Sequence, residues 1–274
     1  MKIKMMTTAL AISADDAKFS ALALKGDLGH NIQFLAGLGF GGVELAARDP
    51  KAVDVSSLNK LISSTGLTVP AIGTGRVFGE DGLSFCDAEQ EIRRKAIQRI
   101  KGHIELAAEL QSQVIIGLVR GICRGPMTHD DAVKWVTEGL EECAAYASSC
   151  GVKLTLEAIN RYETNLLNTV SECLQMARSI GNGIGILVDT FHMNIEEVDM
   201  VESIRNAEGI ITHVHFADSN RWAPGCGHID FAAVIRALRE IGYDGAVSAE
   251  ILPKPSPKEA ARLAAAYMKA VVDA

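Results

Sequence analysis

The feature that most limits how this chain can fold is a regular alternation of short apolar runs with longer helical segments. Eight runs, rich in β-branched residues, have the length and composition of buried strands. The predicted strands are Lys4–Ile12, Gly42–Ala47, Thr68–Gly73, Gln113–Leu118, Val152–Ala158, Gly185–Thr190, Ile211–Ala217 and Ala246–Ile251. Strands that alternate with helices in this way indicate an α/β protein built on a parallel sheet.

The segments between the strands have helical spacing, and several end at a glycine just before the next strand. Ile32, Leu35 and Leu38 form the apolar stripe of the first predicted helix. The later ones are Val55–Ile62, Glu89–Leu110, Ala132–Ala147, Val170–Ile180, Glu196–Ala207, Phe231–Ile241 and Pro257–Val272. Eight such repeats predict a single (β/α)8 TIM barrel domain over residues 1–274. The alternative, a doubly wound open sheet, would want a glycine-rich turn after the first strand, and Ser13–Phe19 lacks one.

Composition argues for a small-molecule ligand. The net charge is −7 and aromatic residues make up 5%, so we expect no nucleic acid and no anionic membrane as partner. No segment approaches the ~18 uninterrupted apolar residues that a membrane span needs. The N-terminal run MKIKMMTTALAIS is interpreted as the first strand rather than a signal peptide. The six cysteines show no CxxC spacing, which favours a reducing, cytoplasmic compartment.

Metal-capable side chains occur at the ends of the last four predicted strands. These residues are Glu157, Asp189, His215 and Glu250. In a barrel of this class the carboxyl ends of the strands meet at one rim, where catalytic residues gather. Three carboxylates and one imidazole form a mostly hard ligand set that suits Mn²⁺ or Mg²⁺ and tolerates Co²⁺. The sequence therefore predicts a divalent metal site, although any one of these residues alone could be a salt bridge or a helix cap.

The other histidines carry less information. His213 lies two residues before His215 and so shares its face of the strand, where it is interpreted as a hydrogen-bonded core residue or as a support below the site. His30, His103 and His129 lie in helical or loop contexts and are expected to be solvated.

The motifs LEAINRYETNLLNT, VDTFHMN, HVHFADSNRWAPGCGHIDF and SAEI together resemble the xylose isomerase-like barrel superfamily, and within it the D-tagatose/D-allulose (psicose) 3-epimerase group. The resemblance implies that Glu157, Asp189, His215 and Glu250 bind a divalent metal, usually Mn²⁺. It implies further that Glu157 and Glu250 are the catalytic proton-transfer pair, and that Glu163, His192 and Arg221 bind the substrate. It also suggests a homo-oligomer, either a dimer or a tetramer.

Such chemistry needs two bases on opposite sides of a flat intermediate, because inversion beside a ketone removes a proton from one face and returns one to the other. A cation that neutralises the developing enediolate would assist. Sequence alone leaves open an aldose–ketose or hydroxypyruvate-type isomerase, which would use a near-identical site. A sugar dehydratase and an AP-endonuclease-like nuclease are less favoured, the latter because of the negative net charge.

One departure from the resemblance concerns arginines near the expected pocket. Arg120 and Arg124 follow the fourth predicted strand, and Arg76 follows the third in the segment GTGR. Guanidinium groups suit bidentate recognition of a carboxylate or phosphate. The sequence therefore favours a sugar acid, such as a keto-hexonate, over a neutral ketose, with Arg120 as a substrate contact. The alternative is that these arginines pair with acids of the loops.

Overall fold

The computed structural model describes residues 6–181 and 183–273, which contain a closed ring of parallel strands. The strands are β1 (Thr7–Ile12), β2 (Gly42–Ala46), β3 (Ala71–Gly73), β4 (Gln113–Ile116), β5 (Leu154–Glu157), β6 (Gly185–Asp189), β7 (Ile211–Phe216) and β8 (Ala246–Ala249). Each strand pairs with the next along the chain, and β1 pairs with β8. The predicted (β/α)8 barrel is confirmed. The start of the first predicted strand, Lys4 and Met5, lies outside the described residues.

Helices follow the strands and cover the outside of the ring. They are α1 (Leu28–Leu38), α2 (Val55–Thr65), α3 (Gly75–Asp81), α4 (Gln90–Leu110), α5 (His129–Ser149), α6 (Val170–Ile180), α7 (Thr190–Glu196), α8 (Met200–Asn206), α9 (Phe231–Glu240) and α10 (Pro257–Asp273). Short 3₁₀ helices span Pro50–Ala52 and Leu118–Arg120. No helix within the described ranges is long and apolar enough to cross a membrane.

The observed elements differ from the predicted ones at three places. The third strand begins only after Pro70, because proline has no N–H to donate to a neighbouring strand. The predicted helix Glu196–Ala207 is observed only as the shorter α8, since Asp199 caps its start by accepting hydrogen bonds from Val201 N and Glu202 N. The sequence predicts no helix at the segment GTGR, yet α3 begins within it at Gly75.

Packing between ring and helices buries the apolar faces of both. The main core contains residues of every strand, and α5 and α6 each begin with a capping box at Thr128 and Thr169. Such boxes fix the start of a helix by satisfying its first N–H groups. The fold thereby sets the carboxyl ends of β5, β6, β7 and β8 side by side at one rim.

Candidate metal centre and active site

Four side chains from neighbouring strands converge at this rim. Glu157 ends β5, Asp189 ends β6, His215 lies near the end of β7, and Glu250 directly follows β8. One ligand atom from each can be chosen so that all four lie within 4.8 Å of one another. The structure thus brings together the four residues that the sequence predicts to be metal ligands.

Two atoms of this cluster are buried without a hydrogen-bond partner. They are Asp189 Oδ2 and His215 Nδ1, which lie 3.7 Å apart, and Glu157 Oε1 also lies 3.7 Å from His215 Nδ1. A buried polar atom without a partner is costly, so its presence calls for an explanation. A cation between carboxylate oxygens and an imidazole nitrogen would satisfy both atoms. The residues present therefore fit a divalent metal.

Glu44 on β2 extends the cluster below the rim and was missed from sequence. His215 Nε2 lies 3.0 Å from Glu44 Oε2, and His213 Nε2 lies 2.8 Å from the same oxygen. Burial alone would raise the pKa of Glu44, but the charge and hydrogen bond of His215 and the hydrogen bond of His213 hold it well below its ordinary value. The carboxylate is therefore an acceptor only, and it holds a proton on Nε2 of each ring.

This arrangement directs the other ring nitrogen of His215 into the cluster. Burial alone would lower the pKa of His215, but Glu44 and, more weakly, Asp189 and Glu157 raise it well above its usual value. The negative surroundings that would hold a proton at Nδ1 would equally hold a cation there. His213 is a fully buried core residue, and its hydrogen bond to Glu44 also supports the cluster from below. Both interpretations made from the sequence therefore apply to it.

Arg221 bridges two carboxylates of the rim, those of Glu163 and Glu250. Its guanidinium donates to Glu163 Oε1 at 2.7 Å and to Glu250 Oε2 at 2.9 Å. Burial alone would lower the pKa of Arg221, but these two carboxylates raise it above its ordinary value, so the group stays charged. Burial raises the pKa of Glu250 to about 8, although His215 and Arg221 act to lower it.

The loop after β7 holds Arg221 in an unusual backbone conformation. Its φ is +60°, a region that residues other than glycine rarely occupy. Arg221 N donates to Asp218 O at 2.7 Å, and Leu252 N donates to Arg221 O at 2.8 Å. The buried carboxylate of Asp218 accepts from Gly225 N at 2.8 Å and from Ile229 N at 3.2 Å, which closes the loop around it. The surroundings thus fix the direction of the guanidinium.

His192 and Glu163 complete the wall of the cavity. His192 on α7 directs Nε2 between Glu157 Oε1 and Asp189 Oδ2, which are each 3.8 Å away. Phe19, Ile115 and other apolar side chains line the remaining sides. A Cβ at position 117 would lie 2.6 Å from Glu157 Oε2, so a residue larger than glycine there would displace this carboxylate. The site is a small, mostly enclosed cavity whose proposed metal ligands come from the consecutive strands β5 to β8.

A family model described as xylose isomerase-like TIM barrel matches residues 32–271. The chain belongs to this family. It is 34% identical over 238 residues to L-ribulose 3-epimerase of Mesorhizobium japonicum, covering 85% of this chain and 78% of the relative. It is 30% identical to D-psicose 3-epimerase of Agrobacterium fabrum, covering 81% and 78%. A solved structure of L-ribulose 3-epimerase matches with a TM-score of 0.83 at 27% identity, covering 98% of this chain and 95% of that one. The relationship predicted from the motifs is confirmed.

Arg120 does not have the position predicted for it in this xylose isomerase-like barrel. Its side chain is fully buried, and the guanidinium donates to five backbone carbonyl oxygens. They belong to Ile116, Gly117, Glu157, Leu166 and Leu167. Since an arginine has five N–H donors, this pattern uses its hydrogen-bonding capacity within the backbone. In this structure Arg120 does not line the cavity, so the geometry gives no support to its role as a substrate contact, which stays a prediction.

The other two arginines do not form the expected anion site either. Arg76 lines one side of the cavity, but its guanidinium is engaged in ion pairs, 2.7 Å from Asp15 Oδ1 and 2.8 Å from Glu80 Oε1. Arg124 is exposed and does not line the cavity. Arg76 therefore agrees with the alternative given above, in which these arginines pair with nearby acids. With Arg120 bound to backbone carbonyls and Arg76 paired with two acids, the structure favours a neutral ketose over a sugar acid.

Proposed function

We propose that this protein is a divalent-metal-dependent 3-epimerase of a neutral ketose. The observation that carries the proposal is the pair of carboxylates, Glu157 buried and Glu250 partly buried, in one cluster with Asp189 and His215. The family relationship supports it, because the relatives named above are 3-epimerases of ketoses. The cavity also presents a charged donor, Arg221, at the side where a carbonyl oxygen would lie.

In this proposal Glu157, Asp189, His215 and Glu250 hold the metal, most suitably Mn²⁺, with Mg²⁺ or Co²⁺ as alternatives. When bound, the cation supplies positive charge beside the sugar oxygens and stabilises the negative charge that develops as a proton leaves carbon. The chain's own residues perform the proton transfer. One of Glu157 and Glu250 removes the proton from C3, and the other returns a proton to the opposite face.

Arg221, His192 and Glu163 orient the sugar in this proposal. The guanidinium and the ring N–H donate to the carbonyl end, and Glu163 accepts from a neighbouring hydroxyl group. The ring centroids of Phe191 and Phe19 lie 4.9 Å and 5.6 Å from Cζ of Arg221. These contacts restrict the movement of the guanidinium. An enclosed site with such restricted groups would hold the reacting carbon close to the carboxylates and keep bulk water away.

We further propose a compartment, an oligomeric state and a class of partner for this enzyme. All six cysteines are free, which supports a reducing, cytoplasmic compartment. A homo-oligomer, either a dimer or a tetramer, remains part of the proposal on the family resemblance. The substrate is a small molecule, and neither nucleic acid nor membrane is an expected partner.

The test is turnover of neutral ketoses by the Mn²⁺-loaded protein in D₂O, followed by NMR. A ketopentose and a ketohexose are compared with a keto-hexonate. We expect deuterium at C3 of the two epimeric ketoses. Deuterium at a former aldehyde carbon would instead identify an aldose–ketose isomerase, and loss of water detected by mass would identify a dehydratase.

Glu157→Gln and Glu250→Gln should each lower kcat by about 10²–10⁴-fold, since each removes one proton-transfer group. The exposed Glu240, which pairs with Arg205, provides the matched control Glu240→Gln with unchanged turnover. Metal content is measured for every variant, so that loss of the cation and loss of the base are separated. Full turnover by either variant with metal bound would rule out the two-base mechanism.

A further inference from the structure

Asn160 lies behind two of the proposed substrate contacts, in the loop between β5 and α6. It is 1% exposed and has no place in the proton-transfer pair or in the metal cluster. Its side chain lies between His192 and Glu163, with Nδ2 at 2.6 Å from His192 Nδ1 and 3.1 Å from Glu163 Oε1. Such a position connects the two groups without contacting the cavity itself.

The orientation of the Asn160 amide is fixed by a backbone group. Tyr162 N lies 2.9 Å from Asn160 Oδ1, and a backbone N–H can only donate. The atom facing Tyr162 is therefore the oxygen, and the atom facing His192 is the amide nitrogen. An amide NH₂ has two hydrogens, and here one points to the imidazole and the other to the carboxylate. Both donors and one acceptor position of this buried amide are therefore occupied.

The tautomer of His192 follows from this orientation. Because the Asn160 amide donates to Nδ1, Nδ1 is the acceptor and carries no hydrogen, so the ring proton is on Nε2. Nε2 faces the cavity, where the carboxylate oxygens of Glu157 and Asp189 lie 3.8 Å away, beyond hydrogen-bonding distance. His192 thus presents an N–H donor to whatever occupies the cavity.

We infer that Asn160 is a positioning residue, which sets the Nε2–H tautomer of His192 and at the same time aligns Glu163. His192 can then donate to a sugar oxygen but cannot remove a proton from carbon through Nε2. The identity of the acceptor rests on the proposed function. The tautomer does not, since it follows from hydrogen bonds among residues of the chain. A ligand with an acceptor oxygen at this point is favoured, and one with a donor there is disfavoured.

The direct test is ¹⁵N NMR of histidine-labelled protein loaded with Mg²⁺, which is diamagnetic. His192→Gln identifies the signals of His192 among the seven histidines. We expect an unprotonated Nδ1 and a protonated Nε2 for His192 in the wild-type protein. A wild-type spectrum with the proton on Nδ1 would overturn the inference, and the variant serves only to assign the signals.

Asn160→Asp supplies the second measurement. A carboxylate can only accept, so the ring would have to place a proton on Nδ1 to keep this hydrogen bond. We expect the proton signal to appear at Nδ1 and kcat for a neutral ketose to fall about a hundredfold, since a misdirected group at this distance has effects of that order. A variant whose His192 signals and kcat both match the wild type would contradict the inference.

Asn168→Asp is the matched control. Asn168 lies in the same loop and braces it by donating from Nδ2 to Ile159 O at 2.7 Å and to Thr164 O at 2.8 Å, without contact to His192. This variant should keep the wild-type tautomer. An equal loss of kcat in both variants, with the tautomer unchanged, would assign the effect to the loop rather than to the imidazole. A protein with the inferred tautomer but no turnover of any ketose would contradict the proposed function and leave the positioning role intact.

Discussion

His215 makes its two ring contacts in opposite directions. Nε2 points down into the barrel towards Glu44, and Nδ1 points up towards Asp189 and Glu157. A carboxylate that holds the remote N–H of an imidazole ligand fixes the ring and increases its basicity. Glu44 is therefore a supporting group for the proposed metal centre, even though it does not belong to the four rim residues.

Glu44→Gln should weaken Mn²⁺ binding by about 10–100-fold, because the amide is neutral and no longer favours the Nε2–H form of His215 as strongly. The measurement is competition against a fluorescent chelator, which needs no turnover. Glu105→Gln, at an exposed site where Glu105 accepts from Tyr146, serves as the control. Equal affinity in Glu44→Gln and wild type would exclude a supporting role.

The rim residues can be predicted from the sequence, whereas Glu44 cannot, and the difference has a physical reason. Glu157, Asp189 and Glu250 each end an apolar run, so their cost of burial is visible as a break in the pattern. Glu44 lies in the middle of GVELA, and its partners His213 and His215 are 169 and 171 residues away. Only closure of the ring brings them together. Arg120 presents the reverse case, because a loop arginine that binds backbone carbonyls has the same local sequence as one that binds an anion.

Arg120 connects the loop after β4 to the loop after β5 by hydrogen bonds. Its guanidinium reaches the carbonyl oxygens of residues 116 and 117 on one side and of residues 157, 166 and 167 on the other. Since Glu157 is one of these, the backbone of a proposed catalytic residue is held from behind. Arg120 thereby acts on the site through the loops rather than through the ligand.

Arg120→Lys should lower the free energy of unfolding by about 2–4 kcal/mol, because an ammonium group has three donors and leaves buried carbonyl oxygens without partners. Urea denaturation measures the change. The exposed Arg124 gives the control Arg124→Lys, which should stay within about 0.5 kcal/mol of wild type. A stable Arg120→Lys protein with an increased KM for a keto-hexonate would restore the anion-binding role expected from sequence.

His103 on α4 was expected to be solvated, and it is fully buried against the end of β2. Nδ1 lies 2.8 Å from Arg99 O and Nε2 lies 2.9 Å from Ala47 O. Burial lowers the pKa of His103 from its usual value, although these two carbonyl groups act to raise it. Its contribution to stability is therefore complete above the unfolded pKa and is lost as the pH falls below it.

We predict that the difference in unfolding free energy between wild type and His103→Gln shrinks on acidification from pH 7.5 to pH 5.5, by about 1 kcal/mol. The unfolded chain binds the proton more readily than the folded one, and only the wild type has this group. Urea denaturation at several pH values follows the change. A difference that stays constant or grows on acidification would show that the carbonyl groups outweigh burial.

Sequence patterns predict elements well where local chemistry decides them. The bounds of α6 agree at both ends, because Thr169 caps the start and Gly181 ends the helix. These patterns fail where a single residue overrides them, as Pro70 delays the start of β3 and Asp199 delays the start of α8. α3 has little apolar periodicity, and its sequence GRVFGED gives no helical signal.

Ring closure brings together acidic groups of β2, β5 and β6, which are buried, and Glu250 directly after β8, which is partly buried. Burying several carboxylates together is unfavourable unless positive charge offsets them. Within the described part of the chain, Arg221 and His215 supply part of that charge, and a divalent cation would supply the rest. Metal binding and stability of the fold should therefore be linked.

Removal of divalent metal by chelation should lower Tm, and Mn²⁺ at a hundred times its Kd should raise it by roughly 5–10 °C, since such binding adds about 2.7 kcal/mol. Scanning calorimetry of the stripped and reloaded protein measures this shift. In Asp189→Asn the Mn²⁺-dependent shift should be largely lost. An identical Tm with and without metal in the wild type would contradict the proposed centre.

β5 and β8 are separated in the ring by β6 and β7, so the two proposed proton-transfer glutamates reach one cavity from different strands. A reaction that runs through such a pair uses the same two groups forwards and backwards, with donor and acceptor exchanged. The protein would then determine how quickly two epimers interconvert, while their final ratio would depend on the relative free energies of the sugars themselves. Preparative use would therefore require continuous withdrawal of the desired epimer, and no substitution in the cavity could replace that step.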